Sequence, residues 1–191
     1  MQTDRKFLMI WGAVGIVAFL LGLGIAGLVW GIKKDRVYET KVYENKELHL
    51  KFSYTDLYFL TENTTATTSS IFLLNDNREN RDVASFGQIN LDNVSSSMSV
   101  EIFERDNIVD IAEWVKKNAQ KSHFDLSNQT FETATVGDKK IISYNWFGKS
   151  NGNTLALINQ GKVYLFTVTF TSDSDRINKD FVSLISTLEL I

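Results

Sequence analysis

Few residues of this 191-residue chain have both the type and the spacing that chemistry needs. His49 and His123 are its two histidines, far apart in sequence, and neither has a second ligand at a metal spacing. Ser95-Ser96-Ser97 lacks the Gly-x-Ser-x-Gly elbow and any partner base. Glu101 and Glu104 fall on opposite faces of a strand, so they make no carboxylate pair. Asp173 and Asp175 lack the further ligands and the glycine of a calcium loop and suit the start of a helix instead. The chain has no cysteine, which removes disulfides, zinc-thiolate sites, a thiol nucleophile and a lipid-anchor cysteine. No catalytic, metal or cofactor-binding set is therefore expected, and no enzymatic activity. Asn63, Asn93 and Asn128 open glycosylation triplets, which matter only on a eukaryotic secretory route.

The group that stands out is aromatic: Trp114, Tyr144, Trp146 and Phe147. Such rings fill cores and also anchor interfaces. Both readings stay open: core packing, or a patch that docks a partner.

Everything that positions these residues follows one stretch, Phe7 to Ile32. Its 26 residues include no charge and no Asn, Gln, Ser, Thr or His. As a helix it would be about 39 Å long, against a hydrocarbon core of about 30 Å. Asp4, Arg5 and Lys6 precede it, and Lys33, Lys34, Asp35 and Arg36 follow. Trp11 and Trp30 stand near its ends, where indoles favour the membrane interface. We read residues 1–36 as a tail, a single uncleaved transmembrane helix and a basic collar. The rival is a cleaved secretory signal, but the apolar run continues well past the small pair Gly24 and Ala26. Gly15, Ala18, Gly22 and Ala26 share one helix face, which would permit close packing with a second copy. Positive charge nearly balances across the span, so orientation rests on the short N-terminal tail, which favours an extracytoplasmic domain on a bacterial-type membrane. The first 36 residues carry net +3 within a chain of net −3, which leaves the remainder acidic. Such a domain is a poor binder of nucleic acid.

Residues 37–46 read as linker or edge strand. From 47 the chain reads as one domain. Leu48, Leu50, Phe52 and Tyr54 alternate with polar residues, as do Met98, Val100 and Ile102. Between Thr61 and Ser70 the chain is mostly Thr and Ser. Ile108, Ile111, Ala112, Val115 and Ala119 make a helical stripe, with Asp106 or Asn107 available to cap it. Strands follow over 131–136, 140–147, 155–158 and 163–171, with turns at Gly137-Asp138, Asn151-Gly152 and Gln160-Gly161. The last strand is apolar on both faces, which marks it as central. Ile177, Phe181, Leu184, Ile185 and Leu188 form the stripe of a closing helix. The fold class is α+β: an antiparallel β-sheet flanked by helices, preceded by one transmembrane helix.

This order resembles the PsbP-like family, named for an extrinsic subunit of the photosystem II oxygen-evolving complex. Phe52-Ser53-Tyr54, Gly137, Gly161-Lys162-Val163-Tyr164 and the closing run Phe181 to Leu188 carry the likeness. Thr55 stands where the family usually has proline, and the Gly-Trp that usually follows is missing. The resemblance implies helices on both sides of a curved antiparallel sheet, an α/β/α sandwich over residues 47–191. It implies no activity: relatives range from photosystem accessory subunits to an import factor and envelope lipoproteins, and most act by binding. None of the family's metal-binding or photosystem-docking residues matches here by motif. The function expected is a membrane-tethered, non-catalytic module that engages a protein partner at the membrane. The alternative is a carrier that holds a small ligand or lipid between sheet and helix.

Overall fold

The computed structural model describes residues 38–75, 96–104, 110–136 and 139–191. Residues 7–32, and with them the expected anchor and its small-residue face, lie outside the described residues. Among the described residues no helix is long and apolar enough to cross a membrane.

Alternation builds two antiparallel sheets. The smaller comprises β1 (Thr40–Asn45), β2 (Leu50–Thr55) and β10 (Glu189–Leu190), in the order β1-β2-β10. The larger comprises β3 (Tyr58–Thr64), β4 (Thr68–Asn75), β5 (Ser97–Glu104), β6 (Glu132–Val136), β7 (Lys139–Phe147), β8 (Asn151–Asn159) and β9 (Lys162–Phe170), in the order β3-β4-β5-β9-β8-β7-β6. Among the described residues two α-helices pack on these sheets: α1 (Ile111–Lys117) and α2 (Arg176–Ser186).

The large sheet is covered on both faces, because its strands send alternate side chains to opposite sides. On one side Met98, Val100, Ile102, Leu157, Tyr164 and Phe166 meet Ile177, Phe181 and Leu184 of α2 and Leu50 and Phe52 of the small sheet. Burying those three α2 side chains contributes roughly 5–9 kcal/mol, at about 1.5–3 kcal/mol each. On the other side Phe103, Ile142, Ala156, Val163 and Leu165 meet Ile111, Trp114 and Val115 of α1. β9 is buried along both faces, as its sequence requires. Helices on both sides of an antiparallel sheet give the sandwich that was expected.

Several local readings change. Residues 40–45 are an edge strand rather than a linker, so the packed unit begins at Tyr38. The Thr-rich stretch continues β3 to Thr64 and starts β4 at Thr68, as β-branched threonine favours. Helix α1 is capped by Asp110, not by Asp106 or Asn107. The Asp110 carboxylate accepts from Ala112 N at 2.8 Å and Glu113 N at 3.3 Å. Lys140 Nζ, 2.6 Å away, holds that carboxyl below the usual range.

Gln160-Gly161 is the hairpin turn the sequence predicts, with φ of 48° and 76°, the positive pair that a type I′ turn needs. Asn151-Gly152 is not a turn. Both residues lie in β8, and residues 148–150 make the loop. Gly152 faces Trp146 across the β7–β8 pair, and a Cβ there would overlap the indole ring. Here glycine allows a close approach instead of a left-handed backbone.

Candidate functional site

Trp114, Tyr144 and Trp146 are core residues, 2%, 4% and 5% exposed. Trp114 points inward from α1, Tyr144 and Trp146 point inward from β7 beneath it, and the polar atoms of those two are satisfied there. Trp146 Nε1 donates to Thr154 Oγ1 at 3.1 Å, and Thr154 Oγ1 lies 3.1 Å from Thr167 Oγ1. The Tyr144 hydroxyl donates to Ser122 O at 2.8 Å, and burial raises its pKa. His123, in a left-handed turn after α1, stacks on Trp146 at 4.5 Å. A docking patch of four aromatics is therefore not formed: three of the rings are spent on the core. Phe147 points to the other face of β7 and is 63% exposed. Leu126, 42% exposed, sits beside it across Gly148.

The other residues singled out are accounted for structurally. His49 belongs to the β1–β2 turn, not to a strand face, and its Nδ1 lies 3.0 Å from Ile191 O. Asp175 does not cap α2 forwards. Its carboxylate reaches back to accept from Thr171 N, Thr171 Oγ1 and Ser172 N, each at 3.0 Å. Burial opposes its ionisation, but those donors outweigh it and its pKa is lowered. Ser97 is buried within β5. Glu104 is exposed and pairs with Lys162.

Two features escaped the sequence reading. The first is Glu101, whose side chain joins Ser97 and Ser99 on the α1 side of β5, opposite Met98, Val100 and Ile102. It is half-buried, and burial pushes its carboxyl up to about 7. No hydrogen bond or ion pair of its side chain is found among the described residues. The second is a cleft of about 250 Å³ at the head of α2, between Leu57, Tyr58, Asn75, Ser96, Arg176 and Ile177. Its charges are already engaged. Asp180 Oδ2 accepts from the Tyr58 hydroxyl at 2.8 Å and from Arg176 Nε at 3.2 Å, and the Arg176 guanidinium lies over the Tyr38 ring at 4.3 Å.

Thr171 and Asp175 also line the cleft, where the Thr171 hydroxyl donates to the Asp175 carboxylate; among the described residues no cluster of three or more His, Asp or Glu could hold a metal ion. Where the alternative reading expects a carrier pocket, among the described residues Ile177, Phe181 and Leu184 of α2 pack into the buried cluster against the sheet.

No protein-family model matches this chain, and no curated protein matches it. Among solved structures, the solution structure of cyanobacterial PsbP (CyanoP) from Synechocystis sp. PCC 6803 is similar, with a TM-score of 0.56 and 14% identity. The match covers 88% of this chain and 100% of that one. At that identity the likeness is one of fold, and the fold of the described domain is PsbP-like.

Proposed function

We propose that the protein is a membrane-tethered, non-catalytic binding module whose PsbP-like domain engages a protein partner at the membrane surface. One observation carries this reading: an uncharged run of 26 residues, long enough to span a bilayer, stands directly ahead of a separately packed domain. In this reading the N-terminus is cytoplasmic and the domain extracytoplasmic. The Gly15, Ala18, Gly22, Ala26 face would let two anchors pack.

The carrier reading loses support. The sheet–α2 layer is filled, and the cleft at the head of α2 is smaller than the roughly 300–1,000 Å³ of usual ligand pockets.

The test is fractionation and capture of the full chain. It should resist alkaline carbonate extraction and copurify with a defined membrane protein in mild detergent. Leu21→Arg in the middle of the run should release it to the soluble fraction. A wild-type chain that washes off with carbonate would refute the tether. A firmly held chain that captures no membrane protein would refute the partner.

A further inference from the structure

The register of the large sheet gathers six strand ends along one edge. Tyr58 pairs with Asn75, Leu74 with Ser97, Ser97 with Thr169, Phe170 with Asn151, and Asn151 with Phe147. The chain arrives at this same edge. Thr40 pairs with Thr55, just before the Asp56-Leu57 turn into β3. Glu39 N donates to Asp56 Oδ1 at 3.0 Å, and the Tyr38 ring lies under Arg176 at the head of α2.

Among the described residues four large apolar side chains are exposed, and two of them, Phe147 and Leu126, belong to this edge. A Cβ at Gly148 would touch Leu126 Cδ1 at 3.4 Å, so the two residues flank a single hairpin tip, residues 148–150. Val42 lies on β1, and Ile191 lies beside His49 at the opposite end. Five strand spacings separate Phe147 from β3, about 24 Å.

Chain length limits how far this edge can stand from the anchor. Six peptide steps separate Ile32 from Tyr38, at most about 21 Å of chain. We propose that the β7–β8 tip docks on the lipid bilayer itself, with Phe147 and Leu126 seated in the interfacial layer. This inference rests on the anchor reading of residues 7–32. The tip has suitable chemistry. Gly148 and Ser150 add no charge and Lys149 adds a positive one, which favours an anionic headgroup region. A shallow apolar wedge beside the tether would fix the domain's tilt and so choose which face a partner meets.

The absence of native cysteine makes the test clean, because each introduced cysteine carries one spin label. Full-length Phe147→Cys, Val42→Cys, Ala66→Cys and Gly22→Cys chains are reconstituted into phosphatidylcholine–phosphatidylglycerol vesicles. Position 66 lies in the β3–β4 turn, at the far edge of the sheet from the tip. Collisions are measured with oxygen, which concentrates in lipid, and with a water-soluble nickel chelate. The label at 147 should gain oxygen collisions and lose nickel collisions relative to labels at 42 and 66. Since that variant removes the phenyl ring, Ser150→Cys with Phe147 intact gives a second readout, and adding Phe147→Ser should return its label to water. Labels at 147 and 150 as open to nickel as the label at 66, with the label at 22 in lipid, would overturn the docking and leave the anchor standing. A label at 22 open to nickel would overturn the anchor and the docking with it. Protection at 147 in native membranes but not in vesicles would assign the tip to a protein and overturn the lipid assignment.

Discussion

Replacing Gly152 with alanine tests the packing logic of the α1 layer. The added Cβ would occupy space held by the Trp146 indole, which is 5% exposed and cannot swing into solvent without opening the core. Overpacking of this kind costs about 1–3 kcal/mol. Moving the ring would also stretch the Trp146–Thr154 hydrogen bond of 3.1 Å, worth about 1 kcal/mol. Against this, alanine restricts the unfolded chain and recovers about 0.4–1 kcal/mol. The net expectation is a loss of about 1–3.5 kcal/mol, or roughly 2–14 °C in Tm for a chain of this size. Urea unfolding of the full chain in mild detergent, followed by tryptophan emission, would measure it. Trp146→Phe in the Gly152→Ala background should recover part of the loss, because the smaller ring leaves room for the methyl. A Gly152→Ala chain within about 0.5 kcal/mol of wild type, with unchanged emission, would refute the reasoning.

Other substitutions probe the remaining features. Burial raises the Glu101 carboxyl to about 7, so its ionised form destabilises the fold; that cost is absent below about pH 4.5, grows as pH rises to 7 and is complete above it. At about 1.4 kcal/mol per unit its ceiling is about 3 kcal/mol, reduced by whatever water reaches a half-buried group. Glu101→Gln should therefore be more stable than wild type at pH 8 and not at pH 4, and a difference independent of pH would reject this. Asp110→Ala should cost about 1 kcal/mol in urea unfolding through loss of the α1 cap. Because the Asp110 carboxyl is lowered by Lys140 and the α1 backbone donors, its contribution should be present above the usual carboxylate range and fade as acid titrates it. Phe147→Ser should leave stability within about 0.5 kcal/mol, whereas Trp114→Ala should cost about 3–5 kcal/mol by the same assay; similar losses for both would contradict their assigned environments.

How much of this was legible differs from residue to residue. Met98, Val100 and Ile102 announced β5 because period-two alternation follows directly from strand geometry. Ile177, Phe181 and Leu184 announced α2 in the same way, through the helical period. Asn151-Gly152 misled because that dipeptide reports a local preference, while the reason for Gly152 lies across the sheet in Trp146. The cap misled because several acceptors precede α1, and only the start of the helix in the folded chain selects Asp110. For the aromatic group, alternation already separated Tyr144 and Trp146 from Phe147. It could not say which face α1 would cover. Glu101 was hidden for a related reason: its parity was plain, but its burial depends on a layer built by residues beyond position 110.

The sheet order has a further consequence, for how the domain comes together. β3-β4-β5 is one ladder of chain neighbours, and β6-β7-β8-β9 is another. They meet along a single seam, β5 against β9, where Ser97 to Glu104 pair with Thr169 to Lys162. The β6-β7-β8-β9 ladder closes short turns, the β4–β5 pair closes the longer connection over residues 76–96, and the seam must close the longest in the large sheet, from Glu104 to Lys162; long-range pairing is the slow step in folding. The chain has no proline and no cysteine, so neither prolyl isomerisation nor disulfide exchange supplies a competing slow phase. Assembly of the domain then turns on one late zipping event, and amide exchange along β5 and β9 should report the moment the two halves become one body.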